Sequence, residues 1–170
     1  MTRAVVLDRD GVINDHRRYV NTPADFILFE GVPFAIRTLH DAGFLVLVAT
    51  NQGGVGLGYL TEEMLYQIHQ KMISELEHEG AKIDGIIACP HAPFAGCACR
   101  KPKPGMLNTL HAQYGFTKSE SYMVGDRETD VQAGQAAGLR TVFIGSAETK
   151  ADISVSSLMD AANWIVKQSG

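Results

Sequence analysis

Leu7-Asp8-Arg9-Asp10-Gly11-Val12-Ile13 sets two carboxylates one residue apart, directly after the apolar run Ala4-Val5-Val6-Leu7. The run reads as a short buried strand over residues 4–8. Residues two apart on a strand share a face, and Gly11 lets the chain turn off the strand tip. Two aspartates so placed repel each other. With a hard cation between them they become a metal site that still has a carboxylate available for chemistry. Alone, Asp-x-Asp-Gly also suits a polar turn or part of a calcium loop. Val12 and Ile13, however, stand where a calcium loop would continue its oxygen ligands.

Three further segments carry matching chemistry. Thr50-Asn51-Gln52-Gly53-Gly54 supplies a hydroxyl, amides and exposed backbone N–H groups; Arg100-Lys101-Pro102 supplies two cations; Gly125-Asp126-Arg127-Glu128-Thr129-Asp130 supplies more carboxylates. Each has a bland alternative: a turn, a solvated charge run, acids leading a helix. Together they suit a phosphate held by N–H groups and a lysine beside a magnesium ion. Gly54, Gly56 and Gly58 invite a dinucleotide fingerprint, but Tyr59 stands where its last glycine belongs. Cys89-Pro90-His91 and Cys97-Ala98-Cys99 offer three thiolates and an imidazole, a complete tetrahedral zinc set with no position left for water. Zinc there would be structural and would fix the loop that delivers Arg100 and Lys101. The alternative is a set of ordinary reduced cysteines with a surface histidine.

The elements that must position these residues alternate along the chain. Beyond the first strand, the pattern predicts a helix over 32–42, a strand over 44–49 and a long helix capped by Thr61. A third strand follows over 83–89, a helix over 105–115 and a fourth strand over 121–125. A small-residue helix over about 129–137, a fifth strand over 139–144 and a C-terminal helix complete the pattern. This βαβα order implies a Rossmann-like three-layer sandwich with a central parallel sheet, whose ligands bind at the carboxyl ends of the strands. About forty residues separate Asp10 from Thr50, too few for a large cap domain.

At 170 residues, 45% hydrophobic and 20% charged, the chain is expected to form a single domain over residues 1–170. A net charge of −4 argues against general nucleic-acid binding. No apolar stretch is long enough for a bilayer, and the start lacks a signal-peptide pattern, so the expected setting is the cytoplasm, as a monomer. Three clustered cysteines do not make a disulfide framework.

In Asp8-Arg9-Asp10-Gly11, Thr50 with Asn51, Lys101, and Gly125-Asp126 through Asp130, the chain resembles the haloacid dehalogenase phosphohydrolase superfamily over nearly its whole length. The resemblance implies magnesium as cofactor, Asp8 as nucleophile and Asp10 as general acid/base. It implies that Thr50 and Lys101 hold the phosphoryl group, and that Asp8, Asp126 and the Asp10 backbone carbonyl ligate magnesium. Asp130 fits the motif's second acid, as ligand or as outer support. The zinc set Cys89, His91, Cys97 and Cys99 is similar to that of the D-glycero-D-manno-heptose 1,7-bisphosphate phosphatases. So are Ile13-Asn14 with Tyr19-Val20, Thr50-Asn51-Gln52 and the run Cys99 to Met106. This second resemblance implies removal of a C7 phosphate from a small sugar phosphate. Arg100 would select substrate, the His16–Tyr19 segment would line its pocket, and Asn51, Gln52 and Gly53 would adjoin it. The related histidinol phosphatases carry a similar zinc loop, so histidinol phosphate is an alternative substrate. A zinc knuckle holding nucleic acid with Arg100, Lys101 and Lys103 is the alternative from outside enzymology.

Overall fold

Along β1 (Arg3–Leu7) successive side chains go to opposite faces of a sheet. Val5 and Leu7 enter one apolar cluster and Ala4 and Val6 another. A strand buried on both faces belongs in the middle of a parallel sheet, and β1 pairs in parallel with β2 (Phe44–Asn51) on one side and β4 (Tyr122–Gly125) on the other. The computed structural model describes residues 1–170. Its six parallel strands run β3-β2-β1-β4-β5-β6, with β3 (Gly85–Cys89), β5 (Arg140–Ile144) and β6 (Ile153–Val155) completing the sheet.

Helices cover both faces. The cluster holding Val5 and Leu7 also takes Ile36 and Leu39 of α1 (Val32–Asp41), Ile68 and Met72 of α2 (Glu62–His78) and Ile165 of α5 (Leu158–Ser169). The opposite cluster takes Met106, Leu107 and Leu110 of α3 (Gly105–Tyr114) and Ala133 of α4 (Glu128–Ala136). The three-layer sandwich expected from the alternation is therefore the fold. Residues 8–31 hold a turn at Gly11, one short 3-10 helix (Pro23–Asp25) and isolated bridges, and no large cap. Thr61 caps α2 as expected, its hydroxyl accepting from the Met64 N–H at 3.1 Å.

Two elements differ from the sequence pattern. The third strand begins at Gly85 rather than residue 83, because Asp84 spends its N–H on the Val46 carbonyl and its carboxylate on the Val46 N–H. β6 was not anticipated: it is three residues long at the sheet edge, and its half-exposed Ile153 and Val155 carry too short an alternation to register.

The chain leaves β1 toward β2 and β3, then returns to β4 on the other flank. The crevice at such a reversal, outside the carboxyl ends of β1 and β4, is where open α/β sheets bind ligands. No helix is long and apolar enough to cross a membrane.

Candidate active site

Asp8 follows β1 at that reversal, its N–H still donating to Val124 of β4 at 3.0 Å. Its Oδ1 accepts from the Arg9 N–H at 2.9 Å and from Lys101 Nζ at 3.0 Å. Lys101, nearly fully buried, also donates to the Ala49 carbonyl at 2.8 Å and pairs with Asp130 Oδ1 at 2.7 Å. Burial pushes the Asp8 carboxyl up to about 7, and the Lys101 charge only partly offsets it. Burial alone would lower Lys101, but the Asp8 and Asp130 carboxylates outweigh it and hold the ammonium above its ordinary range. Lys101 is therefore committed to this buried network, which removes it from any nucleic-acid surface. Lys103 Nζ donates to the Cys97 carbonyl at 2.8 Å.

Asp10 sits in the opposite electrostatic setting. Burial would raise its carboxyl, but the Arg9 charge and hydrogen bonds from Asn14 and Arg9 bring it below the usual value. Gln52 Nε2 donates to Asp10 Oδ2 at 3.2 Å and to Thr50 Oγ1 at 2.7 Å. The buried Thr50 hydroxyl thus accepts from Gln52 and keeps its own proton to donate elsewhere. Asn51 clamps the Lys101 peptide, its Oδ1 accepting from Lys101 N at 3.0 Å and its Nδ2 donating to Lys101 O at 3.2 Å. Asn51 thus fixes the lysine peptide while itself lining the cavity at the strand tips.

Asp126 faces the turn at Gly11. With φ of +85°, and with the Asp126 carboxylate where a Cβ would stand, position 11 admits only glycine without rearrangement. Asp126 Oδ1 is buried without a hydrogen-bond partner. Burial, then the neighbouring Asp130, raises its carboxyl. Asp8, Asp126 and Asp130 bring oxygens within 4.8 Å of one another. Asp130, buried at the third position of α4, uses Oδ1 on Lys101 and Oδ2 on the Arg127 N–H at 3.1 Å. Its two oxygens are thus engaged, while Asp126 has one to give. Three crowded carboxylates, Asp8 and Asp126 raised and one oxygen orphaned, fit a divalent cation with oxygen ligands.

The strand tips open into a cavity of about 930 Å³ lined by Asp8, Asp10, His16, Tyr19, Gln52, Gly53, Arg100, Lys101 and Arg127, among others. His16 Nδ1 lies 3.9 Å from Asp10 Oδ2, its Nε2 accepts from Arg127 Nη2 at 3.2 Å, and its ring meets Tyr19 edge-on. The cations grade outward: Lys101 is buried, Arg100 half-buried, Arg127 exposed.

Beside the cavity Cys89, His91, Cys97 and Cys99 place their ligand atoms within 4.8 Å of one another. Cys89 Sγ lies 3.6 Å from Cys97 Sγ and 3.4 Å from His91 Nδ1, and the latter lies 3.1 Å from Cys99 Sγ. Burial and the other two thiols push Cys99 up to about 12. In Cys97 the Arg100 N–H and its sulfur neighbours outweigh burial and bring the thiol to about 6. Such a cluster does not carry three thiolates without a cation, and its donor set is that of a closed tetrahedral site.

Arg9, Asn14 and His69 were not singled out as site residues, yet they surround Asp10. Arg9 and Asn14 donate to Asp10 Oδ1, and His69 contacts Arg9. One signal was legible for Arg9. On a strand buried on both faces, the residue between two same-face aspartates points into the core, where an arginine requires partners.

The parallel sheet, the paired aspartates at its reversal and the lysine buried on the first of them define a phosphoryl-group hydrolase. Residues 98–167 match the family model described as HAD-hydrolase-like. A D-glycero-β-D-manno-heptose-1,7-bisphosphate 7-phosphatase of Haemophilus ducreyi is 38% identical, over 96% of this chain and 98% of that protein. The corresponding α-heptose enzyme of Campylobacter jejuni is 37% identical, over 88% of this chain and 86% of its own. The crystal structure of D,D-heptose 1,7-bisphosphate phosphatase from B. bronchiseptica, complexed with magnesium and phosphate, matches with a TM-score of 0.90. It is 32% identical and covers 98% of this chain and 99% of that one. The chain belongs to the heptose-1,7-bisphosphate 7-phosphatase family of haloacid dehalogenase-like hydrolases.

Proposed function

We propose that the protein, acting as one domain over residues 1–170, removes the C7 phosphate of a D-glycero-D-manno-heptose 1,7-bisphosphate through an aspartyl-phosphate on Asp8. The observation that carries the substrate assignment is the outward gradient of cations. Lys101 neutralises a phosphoryl group at Asp8, and Arg100 and Arg127 stand farther out, where a second phosphate would lie. The relatives named above act on substrates with that pair of phosphates.

Asp8 attacks the phosphorus, and the bond from phosphorus to the sugar oxygen breaks. Thr50 and Lys101 hold the phosphoryl oxygens. Arg9 and Asn14 keep Asp10 ionised in the free site. The negative charge of an arriving phosphate ester beside it would raise its carboxyl, so that it takes up a proton on Oδ2, the oxygen on the cavity side with Gln52 and His16, and gives that proton to the departing sugar oxygen. The same oxygen then takes a proton from a water molecule whose oxygen attacks the phosphorus, releasing Asp8 and inorganic phosphate. One carboxylate cannot be both covalent nucleophile and proton carrier, so the two aspartates are both required. Magnesium held by Asp8, Asp126 and the Asp10 backbone carbonyl would neutralise phosphoryl charge as Asp8 approaches. Zinc on Cys89, His91, Cys97 and Cys99 would anchor the loop bearing Arg100 and Lys101.

A phosphate-release panel tests the reading. Heptose 1,7-bisphosphate is expected to have the highest kcat/KM among sugar phosphates and histidinol phosphate. Preference for histidinol phosphate overturns the sugar assignment while leaving the strand-tip chemistry standing. Binding to nucleic acid that salt abolishes, without phosphate release from any ester, overturns the enzyme reading.

A further inference from the structure

Arg9 lies between the two aspartates in sequence and points away from both the cavity and solvent. It is the largest wholly buried side chain in the protein. Its Nε and Nη2 donate to Asp10 Oδ1 at 3.0 and 2.8 Å. Its Nη1 meets His69 Nε2 at 3.2 Å. His69 projects from α2, which otherwise contributes apolar residues to the core, and is itself buried. A guanidinium can only donate, so His69 Nε2 carries the lone pair and the ring proton resides on Nδ1. Burial, together with the Arg9 charge, pulls His69 down to about 4 and keeps the ring neutral.

Asn14 Nδ2 donates to the same Asp10 oxygen at 3.0 Å. Three donors therefore occupy Oδ1, and Oδ2 is left to carry a proton toward the cavity. The guanidinium is planar and rigid. If Nη1 loses its acceptor in this buried setting, the group turns to find another and takes Nε and Nη2 with it. The carboxylate then keeps only the Asn14 and Gln52 hydrogen bonds, and its orientation loosens.

We propose that His69 is a positioning residue for Asp10: through Arg9 it fixes the carboxylate so that Oδ2 faces the leaving oxygen of the substrate. The proposal rests on the reading of Asp10 as the proton carrier, and the test separates the two.

A sugar phosphate departs as an alkoxide and needs that proton, whereas 4-nitrophenyl phosphate departs as a stable phenolate and does not. The ratio of their kcat/KM values, in saturating magnesium, isolates proton delivery in the first step. Asp10→Asn, measured first, is expected to depress the sugar ester far more than the aryl ester. Equal loss on both overturns the reading of Asp10 itself. With that established, His69→Leu is expected to lower kcat/KM for the sugar ester about tenfold more than for the aryl ester. Part of the ~10²–10⁴-fold effect of a general acid would thus be lost. His69→Gln, whose amide oxygen can take the Nη1 hydrogen bond, is expected to restore most of the ratio. A parallel fall on both esters, or no recovery with glutamine, overturns the positioning role and reduces His69 to a packing residue. Should His69→Leu fail to fold, His69→Met fills the space without a strong acceptor and is read by the same ratio.

Discussion

Asp8 and Asp10 are the same residue type, two positions apart, and the structure separates them electrically. Asp8 is buried beside Lys101, with its carboxyl pushed up to about 7; Asp10, held by Arg9 and Asn14, is drawn below its ordinary value. The proposed reaction needs the reverse order: a cation on Asp8 and Asp126 would lower the first carboxyl, and an arriving phosphate would raise the second. The first then bonds to phosphorus and the second moves protons, so neither can stand in for the other. Asp8→Asn is expected to abolish turnover with the fold intact, since the amide keeps the shape and loses the nucleophile. Asp10→Asn should still bind phosphate while both proton transfers slow. Wild-type kcat in either folded, magnesium-loaded variant removes that residue from its role. In the proposed function Arg100 is the residue on which substrate choice turns. Arg100→Ala should erode the advantage of a bisphosphate over a monophosphate by roughly 1.5–3 kcal/mol, the scale of a hydrogen bond to a charged group. An unchanged ratio of kcat/KM between the two would place the second phosphate elsewhere.

At the scale of elements, the Cys/His loop connects β3 to α3 and carries Arg100 and Lys101 immediately after its last sulfur. Asn51, the last residue of β2, clamps the Lys101 peptide from the other side. The lysine is thus held by a strand end and by the cluster together. Zinc is expected at one ion per chain. Its removal should loosen residues 89–101 and lower both Tm and kcat/KM, because a closed thiolate site couples metal binding to local folding. Hydrogen exchange should localise the loss to this loop, and a zinc-free protein with reduced cysteines and full activity would exclude the structural role. The sequence pattern anticipated this loop because all four ligands lie within eleven residues, from Cys89 to Cys99. It did not anticipate His69, which lies 60 positions from the Arg9 it supports and on a helix face whose other buried residues are apolar.

The whole molecule enters through what it buries. His69 is neutral in the fold down to about pH 4, whereas an exposed histidine protonates near 6.5. Below pH 6.5 the unfolded chain therefore binds a proton that the folded chain refuses. The stability present above 6.5 is lost as the pH falls toward 4. This amounts to about 3 kcal/mol by the end of that window. Denaturant unfolding at pH 7 and pH 4.5 should show the loss, and His69→Gln, which has nothing to protonate, should flatten it. A variant with the same pH dependence as the wild type would assign the acid sensitivity to other groups. Magnesium tests the convergence of the strand tips. Asp8 and Asp126 come together only in the folded chain, so magnesium should raise Tm. Asp126→Ala, which removes the carboxylate with the orphaned oxygen, should cancel that shift.

The local chemistry was legible without coordinates: the Asp-x-Asp turn, Lys101 behind its cysteines, Thr61 as a helix cap, and the alternation that implies a parallel sandwich. These are properties of neighbouring residues, and propensity, capping and ligand spacing act over a few positions. The tertiary structure alone placed β4 beside β1, so that Asp126 and Asp130 meet Asp8. It also gave the two oxygens of Asp130 to Lys101 and Arg127 and left Asp126 with the unpartnered oxygen. Likewise it turned Arg9 inward onto Asp10 and His69, and it added β6 at the edge of the sheet. Strand order and the partners of buried charges are decided by contacts between distant segments. The burial that determines how each charge is compensated exists only once the layers have closed.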